Sequence, residues 1–229
     1  MSAGNGHCYR TYVFDCDGVI LDSNALKTEA FRTVGLPYGE AAADALAAHH
    51  VANGGISRIA KFRHFLGEIV PAGSPGPGFD ELLERYARVI RQEMLGCAVV
   101  PGLHALREAT ADARWLVVSG TLQGELREIL AERGLADLFD GGIFGSPDDK
   151  DTILARELAG GTIAGPALFI GDSTYDWRAA SAAGLDFVFA SYWTEVPDWP
   201  AFTAANGIDV IDSIELLQQR KPGDRKSVV

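Results

Sequence analysis

Six short apolar runs constrain the fold of this 229-residue chain more than any other feature: Tyr12–Phe14, Trp115–Gly120, Gly142–Phe144, Ala167–Asp172, Asp186–Ala190 and Ile208–Ile211. Each is strand-like in length and composition. From Val99 onward, segments with helical spacing separate them: His104 to Thr110, LQGELREILAERG with Gly134 as its C-cap, Thr152 to Leu158, and Tyr175 to Ala183. Strands alternating with helices predict an α/β fold, a doubly wound parallel sheet with helices on both faces.

The alternation is interrupted once, just after the first strand. From Ser23 to Leu95 the pattern is helical. Leu26, Ala30, Phe31 and Val34 share one face; Ile56, Ile59, Ala60, Phe65 and Leu66 share another; Phe79, Leu82, Leu83, Tyr86 and Ile90 a third. The stretch VPAGSPGPG, Val70 to Gly78, reads as a loop. The expected organisation is an α/β core from residues 1–17 and 98–220, an inserted all-helical cap over 18–97, and a polar, frayed tail over 221–229. Ligands of open α/β sheets bind beyond the carboxyl ends of the strands, so an insertion there would lie over the ligand.

Composition narrows the partners. With 20 basic and 31 acidic residues the net charge is −11, which disfavours nucleic acid or an anionic membrane as partner of a broad basic face. A small anion remains possible, since a local site can oppose the global sign. No segment reaches the roughly 20 apolar residues of a membrane span. Cys8, Cys16 and Cys97 have no metal-ligand spacing, and the N-terminus lacks an apolar signal core; both favour a reduced, cytoplasmic protein. Either a monomer or a homodimer is compatible with the sequence.

Chemistry gathers at the strand ends. In TYVFDCDGVILDS, Asp15 and Asp17 follow the first strand one residue apart. Such close like charges need water or a cation between them. Ser119, Gly120 and Thr121 follow WLVV, Lys150 opens a helix after IFGSPDD, and Asp172, Ser173 and Asp176 follow ALFI. In a parallel sheet all four groups face one edge. Carboxylates without a histidine or cysteine cluster favour a hard cation with oxygen ligands, typically Mg²⁺, and Asp15, Asp172 and Asp176 can supply the shell. A phosphate dianion would find Lys150, the Ser119 hydroxyl and backbone N–H groups after Asp15.

These segments resemble the four motifs of the haloacid dehalogenase superfamily. DCDGVILDS is similar to its first motif, VVSGT to its second, Lys150 to its third and GDSTYD to its fourth. The helical insertion matches that family's small cap, and the likeness extends to phosphoglycolate phosphatases and β-phosphoglucomutase. The resemblance implies that Asp15 is a nucleophile forming an aspartyl-phosphate, and that Asp17 is general acid and then general base. It implies that Asp15, the backbone carbonyl of Asp17 and Asp172 hold Mg²⁺ with Asp176 nearby, and that Ser119, Gly120 and Lys150 bind the phosphoryl group. Dehalogenase relatives lack the second acid and phosphonoacetaldehyde hydrolases usually carry alanine there, so Asp17 favours phosphate-ester chemistry. Gly120 departs from the asparagine or alanine often found in relatives. Cys16 is expected to be packed and inert.

Specificity is expected from the helical block. Gly54–Gly55 before a helix could offer backbone N–H groups to an anion, and Arg58 and Lys61 share that helix's polar face. His49, His50 and His64 read as surface or packing residues, and SYWTEVPDW as a possible pocket wall. The expected activity is Mg²⁺-dependent hydrolysis of a small phosphorylated metabolite, a sugar phosphate or phosphoglycolate-like acid. The alternatives are a phosphomutase of the β-phosphoglucomutase type and a non-catalytic module that binds a phospho-ligand.

Overall fold

The computed structural model describes residues 9–220 and Pro222. The expected frayed tail, apart from Pro222, and Cys8 lie outside the described residues. Strand β1 (Thr11–Phe14) is followed by four helices, α1 (Asn24–Gly35), α2 (Glu40–Ala52), α3 (Arg58–His64) and α4 (Phe79–Gly96). Then come α5 (Leu103–Ala109), β2 (Arg114–Leu122), α6 (Gln123–Glu132), β3 (Gly142–Ser146), α7 (Lys150–Ala159), β4 (Ala167–Gly171), α8 (Thr174–Ala182), β5 (Asp186–Ala190), α9 (Trp199–Asn206) and β6 (Asp209–Ile211). Among the described residues no helix is long and apolar enough to cross a membrane.

The sheet is parallel throughout, in the order β3-β2-β1-β4-β5-β6. The chain winds outward from β1 to β3, then crosses back to place β4 on the other side of β1. The strand order therefore reverses between β1 and β4, where the carboxyl ends leave a crevice. Phe14 stands level with Val117 of β2 and Ile170 of β4, so the residues after these strands emerge side by side.

Period-two alternation divides the apolar residues between two faces. Val13, Leu116, Val118 and Phe169 pack with Ile153, Leu154, Ala179 and Ala180 of α7 and α8. Phe14, Trp115, Val117 and Ile170 pack on the other face with Leu126, Ile129 and Leu130 of α6. The Phe14 and Trp115 rings are 4.6 Å apart there. This second cluster runs without a break into Phe31, Phe62, Phe65 and Tyr86 of the helical block. Burial of that shared surface, at about 25 cal/mol per Å², ties the block to the sheet.

Two helices were not apparent in the pattern. Helix α2 is alanine-rich with little amphipathic contrast, burying only Ala43, Leu46 and His50, and α9 follows the loop after β5. Around α3 the expected inner face holds only at its end: Phe65 is buried and Leu66 packs on the core, but Ile56 and Ile59 are only partly buried and Ala60 is exposed. Arg58, Lys61 and Phe62 are buried instead. The helix is turned so that its cations face the carboxylates at the sheet edge, which apolar spacing alone cannot reveal.

Candidate active site

Asp15 lies at the crevice because its N–H continues the sheet ladder, donating to the Ile170 carbonyl at 2.9 Å. Its Oδ1 accepts from the Cys16 N–H at 2.7 Å and stands 3.0 Å from Lys150 Nζ. Lys150 is held at the first position of α7 by Asp149, whose side chain accepts from the Thr152 N–H at 2.8 Å. The ammonium donates also to Asp176 Oδ1 at 2.5 Å. Asp176 closes a capping box at the start of α8: its Oδ2 accepts from the Ser173 N–H and hydroxyl, and Ser173 Oγ accepts from the Asp176 N–H. One Asp176 oxygen thus serves the helix and the other serves Lys150.

Oxygens of Asp15, Asp172 and Asp176 lie within 4.8 Å of one another, all buried. Burial drives the Asp15 carboxyl up to about 7; Lys150 opposes the rise, and Asp176 and Asp17 add to it. Burial, then Asp15 and Asp176, push Asp172 well above the ordinary carboxylate range. Burial disfavours the Lys150 charge, but Asp15 and Asp176 outweigh it and keep the ammonium protonated. Three buried carboxylates sharing one ammonium leave an excess of negative charge in an all-oxygen setting, which suits a hard divalent cation. Asp172 is aimed by Asn24, whose Nδ2 donates to its Oδ2 at 2.6 Å. Gly18 makes this approach possible: with φ +74°, a Cβ there would lie 2.2 Å from Asp172 Oδ2.

Asp17 faces a different set. Lys27 Nζ donates to its Oδ2 at 2.6 Å and the Ser23 hydroxyl to its Oδ1 at 2.7 Å. The Thr121 hydroxyl, 3.2 Å from Oδ2, lies also 2.7 Å from Lys27 Nζ. Ser23 stands at the α1 N-cap position yet makes no cap bond with its side chain, which is spent on Asp17. Burial alone would raise the Asp17 carboxyl; Lys27, helped by Ser23 and Thr121, holds it at about 2. Ser119 is fully buried, accepts from the Thr121 N–H at 3.1 Å, and lies 3.5 Å from Asp17 Oδ2. Pairing of β2 with β3 is irregular between Val118 and Leu122, the device that turns Ser119, Gly120 and Thr121 toward Asp17. Cys16 is buried, and burial pushes its thiol up, away from nucleophile chemistry.

The helical block closes over this edge. A cavity of about 50 Å³, room for roughly three to five waters, lies between Asp15, Asp17 and Asp172 on one side and Lys27, Arg58 and Lys61 on the other. Glu195 and Val196 of the expected pocket wall contribute to it, and Glu195 accepts from the Thr28 hydroxyl at 2.7 Å. The Gly54–Gly55 turn lies against Ser173 and Tyr175. A Cβ on Gly120 would meet the Gly55 carbonyl oxygen at 2.5 Å, so the missing side chain is where the turn seats. That turn does not open α3; the helix begins at Arg58, and Ser57 caps it by accepting from the Ala60 N–H.

Arg58 and Lys61 are not a solvated face. Arg58 is buried, ion-paired with Glu125 of α6, and its guanidinium lies 4.6 Å from the Tyr86 ring centroid. Its Nη1 has no hydrogen-bond partner. Lys61 Nζ lies 2.6 Å from His50 Nδ1, both residues buried. His50 thus belongs to the cavity, whereas His49 and His64 stack on each other at 3.9 Å. Sequence reasoning overlooked Lys27, Asn24, His50 and the inward turn of Lys61. For Lys27 a signal existed: it falls one residue after Leu26 on a helix that starts at the motif itself, one turn from Ser23.

A family model for haloacid dehalogenase-like hydrolases matches residues 9–184. A search of curated protein sequences finds no match. Among solved structures, a predicted phosphoglycolate phosphatase from Haemophilus somnus is 16% identical at TM-score 0.67, covering 90% of this chain and 94% of its own. A predicted phosphatase from Clostridium acetobutylicum is 17% identical at TM-score 0.69, covering 92% and 97%. CbbY from Rhodobacter sphaeroides, solved with phosphate, is 21% identical at TM-score 0.66, covering 90% and 95%. At these identities the likeness concerns the fold.

Proposed function

From the premise that the chain belongs to the haloacid dehalogenase-like hydrolases, we propose that it is a Mg²⁺-dependent phosphatase of a small phosphorylated metabolite. The observation that carries this reading is the pairing, at one sheet edge, of the buried Asp15–Asp172–Asp176 cluster with Lys150, beside an Asp17 held ionised by Lys27.

Asp15 and Asp172 would hold Mg²⁺, with the Asp17 carbonyl and Asp176 close by; when bound, the ion offsets carboxylate and phosphate charge at that edge. Asp15 attacks phosphorus, forming an aspartyl-phosphate as the ester P–O bond breaks. Lys150 and the Ser119–Thr121 segment hold the phosphoryl oxygens. The leaving oxygen takes its proton from Asp17, and Asp17 then removes a proton from the water that attacks the phospho-enzyme. A carboxyl held at about 2 is ready for the second step. For the first, the incoming phosphate dianion raises its proton affinity by like-charge repulsion. Arg58, from the helical block, reaches the rest of the substrate.

Phosphate release from p-nitrophenyl phosphate and a panel of phosphorylated sugars and acids, with and without chelator, tests this reading. The expected result is turnover that needs Mg²⁺ and disappears in Asp15→Asn with the fold retained. A phosphomutase would instead interconvert glucose-phosphate isomers, and a binding module would turn over nothing. In Arg58→Ala, turnover of the preferred substrate should fall further than that of p-nitrophenyl phosphate, partly in kcat.

A further inference from the structure

We propose that Lys61, together with the free Nη1 edge of Arg58, forms the receptor for a second anionic group, a carboxylate, on the phosphorylated substrate, with His50 directing the Lys61 amine. This rests on the phosphatase reading and adds Lys61 as a specificity-determining residue. Arg58 and Lys61 are three residues apart on α3, so they share a face, and both line the cavity opposite Asp15 and Asp172. Both are buried, yet Arg58 Nη1 has no partner. Lys61 has His50 as its hydrogen-bond partner, and among the described residues no carboxylate pairs with it. Buried cations are costly unless an anion answers them. Glu125 answers Arg58 through Nη2, whereas among the described residues Lys61 has no carboxylate in contact and feels Asp17 and Asp15 only at longer range.

The alternative for a buried amine is to shed its proton. Burial, followed by repulsion from Lys27, lowers the Lys61 amine to about 7, and Asp17 and Asp15 only partly oppose this. The charged and titratable groups around it and its cavity are His50 from α2, Lys27 from α1, Tyr86 from α4, Arg58 on its own helix, Asp15, Asp17, Lys150 and Asp172 at the sheet edge, and Glu195 after β5. His50 stays neutral, because burial and then Lys61 hold its imidazole at about 2. It therefore orients the amine without competing for charge. An incoming anion would fix the proton on Lys61. A neutral hydroxyl could not do so. A carboxylate fits, since its two oxygens match an amine and a guanidinium edge.

Calorimetry of phosphonoacetate against methylphosphonate, in Mg²⁺, isolates this contact without requiring turnover. The wild type should bind phosphonoacetate tighter by roughly 10-fold or more, the worth of one charge-assisted hydrogen bond. Lys61→Met should cut that preference to about 3-fold or less. Because Lys61 loses its charge as pH rises through about 7, the wild-type preference should shrink above that pH, while in Lys61→Met it should be flat. The wild-type pH series stands by itself if the variant does not fold. An unchanged preference in Lys61→Met, or no preference in the wild type, overturns the proposal. Failure to bind either phosphonate overturns the phosphatase reading with it. Preference without turnover of p-nitrophenyl phosphate would spare the receptor and remove the phosphatase.

Discussion

In the proposed mechanism Asp17 must carry a proton to act as acid and lose it to act as base, and its neighbours decide which state comes first. Burial favours the protonated form and Lys27 the ionised one, with Lys27 prevailing. Lys27→Met should therefore raise the Asp17 carboxyl from about 2 into or above the ordinary range. The acid limb of kcat for p-nitrophenyl phosphate, which includes the step where Asp17 must be ionised to take a proton from water, should move up by about one pH unit or more; an unmoved limb would take Lys27 out of that role. Asp15 responds with the opposite sign. Its folded carboxyl, near 7, binds protons more tightly than the unfolded one near 4, so without metal stability falls as pH rises between those values. Asp17, depressed to about 2, contributes stability that is lost only below about 4, outside this window. Mg²⁺ bound at Asp15, as proposed, would compete with its proton, so the rise in Tm on adding it should be larger at about pH 7 than at about pH 5. Equal shifts at both would mean that the ion does not engage Asp15.

At the scale of elements, the seating of the Gly54–Gly55 turn on β2 couples the helical block to the sheet edge. Gly120→Ala places a methyl group 2.5 Å from the Gly55 carbonyl oxygen. Overpacking of that kind costs roughly 1–3 kcal/mol, so a lower Tm and slower turnover are expected. A wild-type melting curve would show that the turn is not seated there. Helix α6 adds a second tie: Glu125, Glu128 and Glu132 lie along one stripe and take Arg58 and Arg91 of the block. The Arg91 pairs are exposed and of little worth, whereas the Arg58 pair is buried. The strands were legible because each is a short apolar run ending in polar residues, and Asp15, Ser119 and Asp172 follow from strand ends in parallel register. Helix α3 was not legible in the same way. Its apolar residues suggest one face, but Glu125 and the carboxylate edge, remote in sequence, turn Arg58 and Lys61 inward. Lys27 was lost for the same reason, since a lysine on a helix reads as solvated until its partner Asp17 is placed beside it.

For the whole molecule, a reversal of strand order between β1 and β4 brings together groups that the chain scatters from Asp15 to Asp176. In a chain of net charge −11, the cavity gathers Lys27, Arg58 and Lys61 on the wall opposite Asp15, Asp17 and Asp172, so a divalent cation bound beside those carboxylates would leave cationic groups facing a small anion. The central claim is that Asp15 becomes covalently phosphorylated. It is tested most directly in Asp17→Asn, where the activated ester p-nitrophenyl phosphate still allows attack but the base for the second step is gone. Rapid acid quench in Mg²⁺, followed by peptide mass analysis, should find one added phosphoryl group on the peptide carrying Asp15, released by hydroxylamine. An unmodified Asp15 peptide while p-nitrophenol is still released, or a phosphoryl group on any other residue, would contradict it.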